Sequence, residues 1–129
     1  MKTKLFKTFP LVVDTKYVEV QGVNPLMQSD CVKLCEMFQD EDDFVLGVFG
    51  SSVTERCGMF SDLDLVIRLF GDVSAERFYG YARKISRAGL SVETDIIFYN
   101  ELDDDGLLKQ EIKKNAYPLV YRESVEKYY

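Results

Sequence analysis

Apolar residues run unbroken at Phe44-Val45-Leu46-Gly47-Val48-Phe49 and again at Leu65-Val66-Ile67, which predicts two short buried strands. Elsewhere the period lengthens. Met27, Cys31, Leu34, Cys35 and Phe38 recur on one helical stripe, with Asn24 as N-cap and Pro25 in the first turn, or with a later start at Ser29 or Asp30. Ala75, Phe78, Tyr79, Ala82 and Ile85 form a second stripe, on a helix capped by Asp72 or Ser74 and stopped after Ala88 by Gly89. Val92 to Tyr99 reads as a third core strand. Leu107 to Asn115 reads as a third helix, Pro118 bars its continuation, and Leu119-Val120-Tyr121 adds a last short strand before a tail from Arg122. Ahead of all this, Phe9 to Val13 and Lys16 to Val20 predict a hairpin turning at Asp14-Thr15 and ending at Gly22, an edge or lid over the sheet.

Strand–helix alternation of this kind gives an α/β or α+β domain, a small mixed β-sheet with helices packed on it. No repeat or linker divides the chain. The expectation is one domain over residues 1–129, with an N-terminal hairpin extension over 1–22 and a core over about 25–121.

Composition narrows the chemistry. The chain is 47% hydrophobic and 29% charged, ordinary for a globular protein, and long enough to bury a core without staples. Its net charge of −6 argues against non-specific nucleic-acid binding, which needs clustered Lys and Arg. Histidine is absent, so Ser-His-Asp and Cys-His catalysis and His-ligated zinc are excluded. Cys31, Cys35 and Cys57 make no disulfide framework and read as small buried hydrophobes of a reducing compartment. The first residues lack a signal-peptide pattern, and no apolar stretch would span a membrane. A cytoplasmic location is expected.

Three charged runs have bland readings. Asp40-Glu41-Asp42-Asp43 reads as a solvated loop. Glu76, Arg77, Arg83, Lys84 and Arg87 read as the solvent face of their helix. Asn100 to Gly106 suggests a calcium loop, but counting Gly106 as the sixth position puts Ile112 where the bidentate acid belongs.

The stretch from Gly50 to Asp64 carries more. Gly50 permits a tight turn and close backbone approach, and Ser51 and Ser52 supply hydroxyls and N–H groups suited to an anion. Asp62 and Asp64 project from one face of the second strand, about 7 Å apart along it. Carboxylates at the edge of an apolar sheet are costly unless a cation compensates, and oxygen ligands shared with phosphates suit Mg2+. On the third strand, Asp95 lies among strongly apolar sequence neighbours, with Glu93 as an alternative on the same face.

Gly50-Ser51, ten intervening residues, then Asp62-Leu63-Asp64 resembles the signature of the polymerase-β-type nucleotidyltransferase superfamily. The closest resemblance is to its minimal members, those encoded beside HEPN-type toxins, and it covers roughly residues 25 to 121. It implies a nucleotidyltransferase fold in which Asp62, Asp64 and Asp95 bind two Mg2+ ions and Gly50, Ser51 and Ser52 cradle a nucleoside triphosphate, ATP as donor. It implies transfer of AMP to a hydroxyl, with Asp95 nearest that hydroxyl and a tyrosine of a HEPN-type toxin as the acceptor. One departure stands out: many minimal members carry Arg directly after Gly-Ser, and here Ser52 takes that place, with Arg56 one helical turn later as a substitute. A second expectation comes from a different class: a non-catalytic acidic antitoxin module that neutralises a basic partner by complex formation.

Overall fold

The unbroken apolar runs are buried because helices cover both faces of the sheet they form. The structure, a computed structural model, describes residues 28–50, 62–122 and Val125. The hairpin expected before residue 22, the helix-cap candidates Asn24 and Pro25, and the turn residues from Ser51 to Ser61 lie outside the described residues.

Strand β1 (Phe44–Phe49) is buried at every position. It pairs antiparallel with β2 (Leu63–Leu69) and, on its other side, antiparallel with β4 (Tyr117–Tyr121). Strand β3 (Thr94–Phe98) lies parallel to β2 at the opposite edge, so the four-stranded mixed sheet has the order β3-β2-β1-β4. Side-chain alternation divides β2 between two cores. Leu63, Leu65, Ile67 and Leu69 join Cys31, Leu34, Cys35 and Phe38 of helix α1 (Gln28–Phe38) and Phe78 and Ile85 of helix α2 (Ala75–Ser86). Val66 on the other face joins Val45, Phe49, Ile112 of helix α3 (Leu107–Asn115), and Val125. Each fully buried Leu, Ile or Phe contributes about 1.5–3 kcal/mol relative to exposure, so the two-sided cover outweighs any local propensity.

Element ends have local causes. Ser74 caps α2, its Oγ accepting from the Arg77 N–H at 3.2 Å. Gly89, at φ +72°, follows the helix where a left-handed residue is needed. Strand β3 stops at Phe98, one residue short of the expected Tyr99. The Asn100 side chain takes over there, accepting from Leu69 N–H at 2.8 Å and donating to Leu69 C=O at 2.9 Å, while Tyr99–Glu101 tightens into a 3-10 turn. Pro118 lies inside β4, not before it. The sheet tolerates it because, among the described residues, β4 is an edge strand and the register slips between Leu46 and Gly47, beside Pro118.

Two readings of α2 are corrected. Tyr79 is 58% exposed and Ala75 is exposed. The inward stripe is instead Phe78, Tyr81 and Ile85, with the Tyr81 ring packed at a tilt against Phe44, 4.7 Å between ring centroids. Arg77 is no solvent-face residue either. Its guanidinium donates to the carbonyls of Phe70 (2.9 Å), Asp72 (2.8 Å), Asp42 (2.9 Å) and Asp43 (3.2 Å), and to the Tyr81 hydroxyl at 3.2 Å. It thereby ties the acidic loop before β1 to the loop after β2. Cys31 and Cys35 are fully buried, and burial pushes both thiols up to about 12, out of the reactive range. Among the described residues, no helix is long and apolar enough to cross a membrane.

Candidate functional site

The acids singled out in the sequence gather at the N-terminal ends of the two parallel strands. Asp64 stands second in β2, opposite Asp95 of β3 and opposite Phe49, the last residue of β1. Register and alternation put Asp64 and Asp95 on the same face of the sheet, the face that α3 covers. A main-chain bond from Leu63 N–H to Glu93 C=O, 2.9 Å, fixes the start of this pairing. Asp62 lies just before β2 and is exposed, as are Asp95 and Glu93; Asp64 is half-buried.

A second tie runs behind the strands. The carboxylate of Asp30, buried in α1, accepts from the Ser91 N–H at 3.0 Å and the Ser91 hydroxyl at 2.6 Å. It holds the loop that delivers β3, and with it Asp95, to the edge of β2.

Gly50 closes the arrangement on the β1 side. Its φ is +71°, and a β-carbon built there would collide with the Asp64 carboxylate. Only glycine lets the turn out of β1 pass so close to that acid. Ser51 and Ser52, expected as the anion cradle, lie outside the described residues.

The electrostatics centre on Asp64. Burial pushes its carboxyl above the ordinary aspartate value, and the negative charges of Asp95, Asp62 and Glu111 push it further the same way. Glu111 was not foreseen. It stands on α3 next to Ile112, which enters the core under the carboxylate face. Helical periodicity marks only Leu108 and Ile112 as inward, and the docking of α3 is what brings Glu111 alongside.

Does this set suit a metal ion? Every described donor is a carboxylate oxygen, which matches a hard divalent ion such as Mg2+. Yet among the described residues no three Asp, Glu or Cys side chains converge closely enough to hold an ion by themselves. The fit is therefore to an ion shared with ligand oxygens, the usual habit of Mg2+. The arrangement can hold cationic or metal-bridged groups at an open sheet edge, beside a turn whose backbone approaches closely.

The model of the family described as "Nucleotidyltransferase domain" matches residues 32–119, a span that begins in α1 and ends in β4 and includes Gly50, Asp62, Asp64 and Asp95. No curated protein matches the chain.

Proposed function

Because the chain belongs to the nucleotidyltransferase domain family, we propose that it transfers the nucleoside monophosphate of a nucleoside triphosphate, AMP from ATP, to a hydroxyl acceptor, with Asp62, Asp64 and Asp95 holding two Mg2+ ions. The observation that carries this reading is the parallel register of Asp64 with Asp95, directly opposite the end of β1 where Gly50 turns. Bound Mg2+ would supply charge neutralisation for the phosphates and acidify the acceptor hydroxyl.

The chain's own residues have distinct tasks in this scheme. Gly50 leaves the Asp64 carboxylate uncovered where any other residue would place a β-carbon, and with Ser51 and Ser52 it borders the triphosphate. Asp64, half-buried and paired through β2 with β1 and β3, is the fixed ligand. Asp95, exposed at the sheet edge, can be reached by an acceptor and takes the hydroxyl proton as that oxygen forms its bond to the α-phosphorus. The bond from the α-phosphorus to the bridging oxygen breaks, and pyrophosphate leaves. The acceptor implied by the resemblance is a tyrosine of a HEPN-type toxin partner.

Incubating the full chain with ATP labelled at the α-phosphorus, Mg2+ and the protein encoded by its genomic neighbour tests this. The expected result is a labelled partner that gains the mass of one nucleotide on tyrosine, with no label for Asp64→Asn. A stable complex without label, unaffected by Asp64→Asn, would move the protein to the non-catalytic antitoxin reading. Neither complex nor label would remove the HEPN acceptor.

A further inference from the structure

On the sheet face opposite the carboxylates, α1 and α2 leave a groove of about 540 Å3 between them. Its walls are Lys33 and Met37 from α1 and Gly80, Arg83, Lys84 and Arg87 from the α2 side. Among the described residues no acid lines it, in a chain of net charge −6. Lys33 and Lys84 are drawn down over it, donating to the carbonyls of Gly89 and Met37, each at 3.4 Å. Lys84 also lies over the Phe38 ring at 5.1 Å. The guanidiniums of Arg83 and Arg87 are exposed and make no hydrogen bond or ion pair with any described residue. Gly80 leaves open space at one end, since a β-carbon there meets nothing within 4 Å.

We propose that this groove docks a short acidic, amphipathic segment of a partner protein. Size, charge and floor together select that occupant. From Gly80 to Arg87 the α2 side spans about 10 Å, the length of about three extended residues. Unpaired guanidiniums one helical turn apart suit carboxylates spaced along such a segment. Met37 offers an apolar contact that a sugar–phosphate backbone does not use. A longer polyanion such as RNA would run from the groove onto Glu36, Asp40 and the acidic loop that follows, where like charge repels it. The groove faces away from Asp64 and Asp95, so its occupation leaves their edge of the sheet open. The inference does not depend on nucleotidyl transfer.

The test uses fluorescence anisotropy of the full chain with a labelled hexapeptide of alternating glutamate and leucine, and with a labelled hexauridylate. Arg83→Glu/Arg87→Glu cancels the groove's positive charge; Lys113→Glu/Lys114→Glu changes net charge equally on α3. Gly80→Phe blocks the groove without altering charge, at a helical position where losing glycine favours the fold. The expected result is peptide binding that weakens at least tenfold in the Arg83/Arg87 variant and in Gly80→Phe, stays within twofold in the α3 variant, and exceeds hexauridylate binding. Peptide binding unchanged by Gly80→Phe would overturn the proposal, as would no peptide binding at millimolar protein. Hexauridylate bound as tightly as the peptide, and lost in the same variants, would overturn it in favour of a nucleic-acid site.

Discussion

Gly50 and Gly89 have nearly the same backbone, φ +71° and +72°, in different surroundings. Alanine at either must adopt the left-handed region at a cost of about 1–2 kcal/mol. Only at Gly50 does the new methyl also meet the Asp64 carboxylate. Gly50→Ala should therefore lower the urea midpoint more than Gly89→Ala does, and the difference measures the contact with Asp64. Equal losses would mean that the turn is free to move off the acid. Asp64 yields a second prediction at this scale. Its carboxyl is held above the ordinary aspartate value, so the folded state binds the proton more tightly than the unfolded chain does. The resulting destabilisation is absent below the ordinary value, grows as pH rises through it, and is complete above the raised one. In metal-free buffer, Asp64→Asn should be more stable than wild type at pH 7, with the gain shrinking as pH falls toward about 3.9. Urea titrations at several pH values measure this; a variant less stable than wild type at pH 7 would contradict it.

Among the elements, α2 carries the sharpest contrast. Arg77 and Arg83 stand on the same helix, but the Arg77 guanidinium bonds four loop carbonyls and Tyr81 while the Arg83 guanidinium bonds no described residue. A hydrogen bond from a charged group contributes about 1.5–3 kcal/mol. With part of the loss recovered by water at this half-buried site, Arg77→Ala should cost about 2–4 kcal/mol in urea unfolding, against about 0.5 for Arg83→Ala. The sequence could not separate these two arginines, because carbonyl acceptors at residues 42, 43, 70 and 72 leave no side-chain signature. Elements were legible where local signals were strong: β1, an unbroken apolar run, and α3, with Pro118 barring its continuation, keep their expected bounds. The stripe on α2 was misassigned at Tyr79 because Phe78, Tyr79 and Tyr81 are all aromatic and the burial of one over another is a tertiary choice. At the site, spacing exposed Gly50, Asp62 and Asp64, and an acid among apolar neighbours exposed Asp95. That β3 pairs with β2 in the register Asp64 to Asp95, and that α3 brings Glu111 beside them, follow from packing between distant segments.

At the scale of the molecule, two charged sites of opposite sign lie on opposite faces of the sheet. Acids gather on the face under α3 at the N-terminal ends of β2 and β3, and the groove between α1 and α2 opposite is lined by cations. A nucleotide would approach one face and a protein segment the other, with the four-stranded sheet between them. The claim on which this account rests is that the acidic edge binds a nucleoside triphosphate together with Mg2+. Thermal unfolding of the full chain with ATP, GTP, CTP or UTP, each with and without Mg2+ and beside Asp64→Asn, tests it most directly. A ligand at about a hundred times its dissociation constant stabilises by about 2.7 kcal/mol, a rise on the order of 10 °C for a domain of this size. The account predicts such a rise with ATP only when Mg2+ is present, and its loss in Asp64→Asn. No rise with any nucleotide, or the same rise in the variant, would contradict it.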